Sequence, residues 1–152
     1  MQLMMIVFTI VFLLIDIVSK LVISNLMNVY DSVIVIKNVF NITYVRNTGA
    51  AWSLFSDNTW LIIIISLIII SFIVFYIYKN RPKNKIENIS YSLVLGGAIG
   101  NFIDRIIYGY VIDFLDFNIF GYDYPIFNLA DTFIVIGVII LCICMWRDKD
   151  GN

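Results

Sequence analysis

Histidine is absent from this chain of 152 residues. Its absence excludes Ser-His-Asp and Cys-His nucleophilic sites, and also zinc peptidases with an HExxH motif, because each of these needs at least one imidazole. Hydrolytic chemistry in this chain would therefore have to rest on carboxylates, hydroxyls, lysine or a metal bound by oxygen atoms.

Charged residues are also scarce. They make up 14% of the chain, against about 25% in typical soluble proteins. Hydrophobic residues make up 61% and the mean hydropathy is +0.94, which is typical of a polytopic membrane protein. The formal net charge of -1 gives no reason to expect nucleic-acid binding.

The chain has only two cysteines, Cys142 and Cys144. They lie two residues apart in an apolar run, so on a helix they point to different sides and are poorly placed for a disulfide. We expect both to be small apolar packing residues rather than a redox or metal site.

Four apolar runs are long enough to cross a bilayer, which takes about 20 residues of helix. They cover about 3–24, 59–78, 88–108 and 127–146. The first run lacks a basic leading region and an A-x-A-like cleavage site, so we interpret it as a spanning helix and not as a signal peptide. A single membrane-embedded domain, 1–152, is expected.

The loop between the second and third runs is the most basic part of the chain. It contains four cations, Lys79, Arg81, Lys83 and Lys85. The positive-inside rule places such a loop in the cytoplasm. Four spans would then put both termini in the cytoplasm.

The stretch 32–46 differs from the rest of the chain, because it is rich in β-branched residues and is interrupted by Lys37-Asn38. This pattern predicts a small two-stranded β element outside the membrane, resting on the bilayer surface or on the helices. Gly49 permits a turn after it. Residues 50–55 predict a short interfacial helix, with Trp52 at headgroup level. The fold class is thus an all-α polytopic membrane protein with four transmembrane helices and a small extracytoplasmic β element.

Polar and acidic residues concentrate between Gly96 and Asp131. Ionisable residues within or at the rim of a bilayer are costly, so they indicate a functional site. Asn101 and Arg105 are four residues apart and share one face of the third helix. In the first helix, Asp16 and Lys20 are also four apart; they predict an internal ion pair, or a supporting role for Asp16 with Lys20 reaching outward to the interface.

Asp113 follows the third helix and Asp131 lies in the first turn of the fourth, so both are predicted at the same outer depth. Two carboxylates brought close share a proton and can act as general base and general acid, as an aspartic peptidase requires. Structural alternatives stay open. Asn128 with Asp131 three residues later is a helix-capping pattern, and Asp113 with Asp116 is compatible with a solvated acidic loop.

Motifs spread over essentially the whole chain resemble those of the bacterial lipoprotein signal peptidases, the type II signal peptidases. The matching motifs are, in order, Asp16-x-x-x-Lys20, Asn47-x-Gly49-Ala50-Ala51, Gly97-x-x-Gly100-Asn101-x-x-Asp104-Arg105-x-x-x-Gly109-x-Val111-x-Asp113-Phe114 and Phe127-Asn128-x-Ala130-Asp131. Several separated motifs in the same order make the resemblance more specific than any one of them.

The resemblance implies an aspartic endopeptidase of the bacterial cytoplasmic membrane. Such an enzyme removes the signal peptide from diacylglyceryl-modified prolipoproteins, just before the lipidated cysteine. By resemblance, Asp113 and Asp131 are the catalytic pair. The implied polar shell, which binds and positions, consists of Asp16, Lys20, Asn47, Gly49, Asn101, Arg105 and Asn128.

The same resemblance implies an active site at the surface of the outer leaflet. Prolipoproteins and membrane lipids are the expected partners, and we expect a monomer with no cofactor, no metal and no nucleic acid. Two alternatives are a small transporter or channel subunit with a polar pathway through the bilayer, and a purely structural bundle.

Overall fold

The computed structural model describes residues 2–49 and 58–150. The interfacial helix expected over residues 50–55, with Trp52, lies outside this part of the chain. Eight elements follow one another: α1 (Gln2–Leu26), β1 (Ser32–Ile36), β2 (Phe40–Asn47), α2 (Thr59–Asn80), α3 (Lys85–Tyr108), β3 (Val111–Ile119), β4 (Tyr122–Asp123) and α4 (Leu129–Asp150).

Helix α3 is the central element, because it packs against α1, α2 and α4. Two glycines allow the close approach. A Cβ added at Gly97 would lie 2.3 Å from the carbonyl oxygen of Ala130, and one at Gly96 would lie 2.9 Å from the Cβ of Phe12. Small residues of this kind let helix backbones come together in membrane proteins. The contact at Gly97 fixes α3 against the start of α4.

Helix α3 begins three residues before the expected position 88, because Asn84 caps it. The Asn84 Oδ1 accepts from the backbone N–H of Glu87 at 2.9 Å, and Glu87 Oε2 accepts from the N–H of Lys83 at 2.7 Å. At the other end, Gly109 takes a left-handed conformation with φ 78° and closes the last turn onto Arg105. This turn sends the chain directly into β3.

Three helices in the part of the chain that the structure describes are long and apolar enough to cross a membrane. They correspond to α1, α2 and α4 and match three of the four predicted runs. Helix α3 is more polar and also more buried, with side chains such as Asn101 and Asp104 facing other helices. Polar residues inside a bundle are shielded from lipid by their neighbours.

Strands β1 and β2 confirm the two strands predicted within 32–46, but the β element is larger than predicted and has four strands. The sheet is antiparallel with the order β1-β2-β3-β4. Strand β3 pairs along β2, from Phe40 opposite Phe117 to Asn47 opposite Val111. The sequence pattern predicts no strand after α3, because acidic residues interrupt the apolar alternation there and the pairing partner is distant in sequence.

One face of the sheet covers the end of the helix bundle. Tyr44, Ile112 and Phe114 form a buried cluster there, and residues at the end of α1 such as Ile23 and Met27 pack against it. Side chains alternate between the two faces of a strand. Asp113, which lies between Ile112 and Phe114, is therefore directed to the opposite side, toward the start of α4.

Candidate active site

Asp113 and Asp131 line one cavity of about 1050 Å³ at the end of the bundle. Asp113 comes from β3 and is 2% exposed, whereas Asp131 comes from the first turn of α4 and is half-buried. The structure thus brings together the two carboxylates that the sequence predicted as a pair. The interpretation of Asp113 as part of a solvated loop is wrong, because it lies in a buried strand.

Two amide side chains hold the Asp113 carboxylate. Asn47 Nδ2 donates to Oδ2 at 2.9 Å, and Asn128 Nδ2 donates to Oδ1 at 2.7 Å. Burial, and after it the nearby Asp131, raise the pKa of Asp113 to about 7, although the hydrogen bonds from the Asn47 and Asn128 amides oppose the rise. At neutral pH this carboxyl group therefore exchanges its proton readily, as general acid–base chemistry requires.

Asp131 has a capping role as well as a place at the cavity. Its Oδ2 accepts from the backbone N–H of Asn128 at 3.2 Å, and Asn128 Oδ1 accepts from the N–H of Asp131 at 3.0 Å. The remaining oxygen, Oδ1, accepts from Asn101 Nδ2 at 2.7 Å. The capping alternative is thus present in the structure, and it fixes the carboxylate beside the cavity instead of competing with that position.

Lys20 does not reach outward to the interface, and that part of the prediction is wrong. Its side chain is 2% exposed, and its Nζ donates to Asp16 Oδ2 at 2.7 Å and to Asn101 Oδ1 at 2.9 Å. Paired acceptors deep in the bundle outweigh the gain from hydrating the ammonium at the surface. Asp16 and Lys20 form the predicted internal ion pair behind the cavity.

Asp104, for which the sequence leaves open a cation partner or a position at the headgroups, is a buried member of this cluster and pairs with a cation. It is 5% exposed, and its Oδ2 lies 3.0 Å from Lys20 Nζ. Its position three residues after Asn101 puts both on one face of α3, which is the signal that could have identified it.

Arg105 ties α3 to the turn that follows β2. Its Nη2 donates to the carbonyl oxygen of Gly49 at 2.9 Å, and its Nη1 donates to that of Asn101 at 3.3 Å. Asn47 Oδ1 accepts from the N–H of Gly49 at 2.9 Å, so the turn is held from both sides. Arg105 also lines the cavity.

The acidic side chains are not arranged in a way that supports metal binding. Within residues 2–49 and 58–150, no three Cys, Asp or Glu side chains are grouped so that they could hold a metal ion. The expectation of no metal and no cofactor stays a prediction.

Apolar helices long enough to cross a membrane, together with a cavity lined by two carboxylates, indicate a membrane enzyme. The family model for signal peptidase (SPase) II matches residues 8–147. This chain belongs to the signal peptidase II family, and it is therefore a protease, as the motifs predicted. The alternative of a transporter or channel subunit is not favoured.

Individual relatives agree with the family match. The lipoprotein signal peptidase of Staphylococcus haemolyticus (strain JCSC1435) is 44% identical over 140 residues, which cover 92% of this chain and 89% of the relative. That of Staphylococcus aureus (strain Newman) is 43% identical over 146 residues, which cover 96% and 88%.

Two solved bacterial membrane enzymes have the same fold. One superimposes with a TM-score of 0.90 at 40% identity and covers 98% of this chain and 91% of its own. The other has a TM-score of 0.86 at 41% identity and covers 95% and 94%.

Proposed function

We propose that this protein is an intramembrane aspartic endopeptidase that removes the signal peptide from diacylglyceryl-modified prolipoproteins, cutting just before the lipidated cysteine. The observation that carries the proposal is the pair Asp113 and Asp131. They come from different elements, line one cavity, and are held by amide donors from Asn47, Asn101 and Asn128.

The proposed reaction uses one proton shared by the pair. The ionised carboxylate takes a proton from a water molecule while the water oxygen attacks the scissile carbonyl carbon. The protonated carboxyl then gives its proton to the leaving amine nitrogen, the C–N bond breaks, and the pair has exchanged roles. A pKa of about 7 for Asp113 supports this scheme, because it keeps one proton available at neutral pH.

The shape of the cavity supports a lipid-linked substrate. Part of its wall is formed by Ile134, Val135 and Ile136 on α4. Val135 is 57% exposed and Ile136 is 44% exposed, so this wall continues onto a helix surface that would face lipid. Acyl chains and an apolar signal helix could enter from the bilayer along it, and the peptide bond would reach the carboxylates without leaving the membrane.

The proposal includes the arrangement in the bilayer. Helix α3 is taken as a membrane span in addition to α1, α2 and α4, which gives four spans in all. Both termini are cytoplasmic, and the cavity opens at the surface of the outer leaflet. The chain acts as one domain and as a monomer.

Cleavage of a defined substrate tests this function. The purified protein should cut a prolipoprotein that carries the diacylglyceryl group, and mass spectrometry should place the cut before the modified cysteine. The same precursor with serine at that cysteine cannot be lipidated and is the matched control; it should stay intact. Failure to cut the lipidated precursor would contradict the proposal, and it is the result that a non-peptidase bundle predicts.

Topology gives a separate prediction. In a variant without Cys142 and Cys144, Lys37→Cys should react with a membrane-impermeant maleimide added to intact cells. Lys83→Cys should react only after the membrane is opened, because cationic loops resist translocation. Both positions are exposed in the structure. Labelling of position 83 alone in intact cells would reverse the proposed orientation.

Arg105→Lys should lower cleavage by about 10- to 100-fold, because lysine keeps the charge but cannot hold two carbonyl oxygens with a planar fork. The estimate corresponds to losing one hydrogen bond from a charged donor, worth about 1.5–3 kcal/mol. Arg81→Lys, in the basic loop away from the cavity, is the control and should cut normally. Normal turnover by Arg105→Lys would remove Arg105 from the site.

A further inference from the structure

A single buried ammonium group stands behind the catalytic pair. Lys20 Nζ lies 2.7 Å from Asp16 Oδ2, 2.9 Å from Asn101 Oδ1 and 3.0 Å from Asp104 Oδ2. An ammonium has three N–H donors, so three acceptors match its capacity. The contacts connect α1 to two positions on α3.

Each of the three residues that accept from Lys20 makes a second hydrogen bond, either to a catalytic aspartate or to the residue before it. Asp16 Oδ1 accepts from the N–H of Ala130, the residue before Asp131, at 3.0 Å. Asp104 Oδ2 accepts from the N–H of Ile112, the residue before Asp113, at 3.3 Å.

Asn101 contacts the side chain of Asp131 directly, whereas Asp16 and Asp104 contact backbone N–H groups. Because its Oδ1 accepts from Lys20, its Nδ2 is turned outward and donates to Asp131 Oδ1 at 2.7 Å. Asn128 Nδ2 also donates to this Oδ1, at 3.0 Å, so the ammonium and the Asn128 amide together set the orientation of the Asn101 amide, and a flipped amide would present an oxygen to a carboxylate.

We propose that Lys20 is a positioning residue that sets the separation and orientation of the two catalytic carboxylates. In this proposal Asp104 links Lys20 to strand β3. The proposal rests on the proposed function, because it concerns the alignment of the same pair. It goes further than the polar shell implied by the resemblance, because it adds Asp104 and specifies the contacts through which Lys20 acts on each carboxylate.

The alternative is an ion cluster that only stabilises the helix bundle. The net charge of the cluster does not distinguish a positioning role from a stabilising role, because Lys20, Asp16 and Asp104 together have a formal charge of -1 in both cases. The charged groups that interact with Lys20 are Asp16 on α1, Asp104 on α3, Asp113 on β3 and Asp131 on α4. Arg105 on α3 interacts with the last three of these. Variants that change position and charge separately are therefore needed.

Asp104→Asn is the first variant. Asparagine keeps an oxygen for the Ile112 N–H but loses its charge-assisted contact with Lys20. We expect kcat to fall by about tenfold to a hundredfold, because small misplacements of reacting groups have effects of this size. KM should stay within about twofold. The alkaline limb of the activity–pH profile should move to lower pH, because one negative charge near the pair is gone.

Lys20→Met/Asp104→Asn is the second variant. It removes one positive and one negative charge, so the net charge of the cluster does not change. Of the three charged residues in the cluster, Asp16 alone remains. A charge effect alone predicts nearly normal activity. The positioning role predicts a low kcat with the alkaline limb back near the wild-type pH.

Asp116→Asn is the matched control. Asp116 is an acid on the same strand as Asp113, and its carboxylate accepts from Thr43 and Asn41 in the sheet and not from Lys20. It should leave kcat and the pH profile unchanged. Thermal unfolding of each purified variant, in the same detergent as the cleavage assay, separates loss of fold from loss of rate.

The outcomes separate this inference from the proposed function. Wild-type kcat and pH profile in folded Asp104→Asn and in the double variant would overturn the inference while leaving the peptidase assignment intact. Failure of both variants to fold would assign the cluster to stability and would also overturn it. Absence of cleavage by the unmodified enzyme would instead contradict the proposed function.

Discussion

Asp113→Asn and Asp131→Asn are each expected to lower cleavage by at least 10²–10⁴-fold, the usual contribution of a general acid or base. Asparagine is nearly isosteric with aspartate, so both proteins should insert and fold. The double variant should be hardly slower than either single variant, because residues that act as one unit are strongly non-additive.

A purely structural role for Asp131 predicts a different result. Asparagine at the cap would lose a charge–dipole interaction worth about 0.3–1 kcal/mol, and the protein would be slightly less stable but still active. Thermal unfolding and cleavage should be measured on the same samples. Near-normal cleavage by folded Asp131→Asn would rule out the aspartic-peptidase mechanism.

The raised pKa of Asp113 adds a stability signature to the same variants. The folded state holds a proton up to about pH 7, so this group contributes stability that is fully present below its usual value of 3.8 and is lost as the pH rises through about 7. The unfolding temperature of the wild type should therefore fall as the pH rises from about 4 to about 7. Asp113→Asn, which cannot ionise there, should fall less.

Gly97→Ala is expected to have the second large effect, on both stability and activity. The new Cβ would lie 2.3 Å from the carbonyl oxygen of Ala130 and 2.9 Å from Ile134 Cγ1. Because the first of these atoms is backbone, α3 and α4 must move apart. Overpacking of this kind costs about 1–3 kcal/mol. Asp131 follows Ala130 directly, so the pair would be displaced and cleavage should fall by about 10²-fold.

Ser71→Ala on the exposed surface of α2 is the control for Gly97→Ala, since it also changes one small residue in a helix. It should leave the unfolding temperature and the cleavage rate unchanged. An unaltered rate and unfolding temperature in Gly97→Ala would show that the two helices tolerate separation.

Helices α1, α2 and α4 were predictable because each is one uninterrupted apolar run, and run length alone indicates a membrane span. Strand β3 was not recognised, because Asp113 and Asp116 break its apolar alternation. Its hydrogen bonds go to β2, and local patterns carry no information about a partner so far along the chain.

The prediction that Asp113 and Asp131 lie close together rested on one aspartate following a helix and the other opening the next, and the structure places both at one cavity. The environment of Lys20 was wrong for a physical reason. Sequence spacing places Asp16 on the same helical face but does not show that α3 supplies two more acceptors, Asn101 and Asp104. Only those distant partners make the interior more favourable than the surface for the ammonium.

Asn84 and Asn128 both begin a helix, but they differ in how replaceable they are. Asn84 accepts from Glu87 as an ordinary cap, a task that serine, threonine or aspartate performs as well. Asn128 accepts from Asp131 and also spends both amide protons, on Asn101 and Asp113. Serine, threonine and aspartate do not offer two donor protons together with an acceptor. Asparagine is therefore the one capping residue of these four that can make all three contacts at position 128.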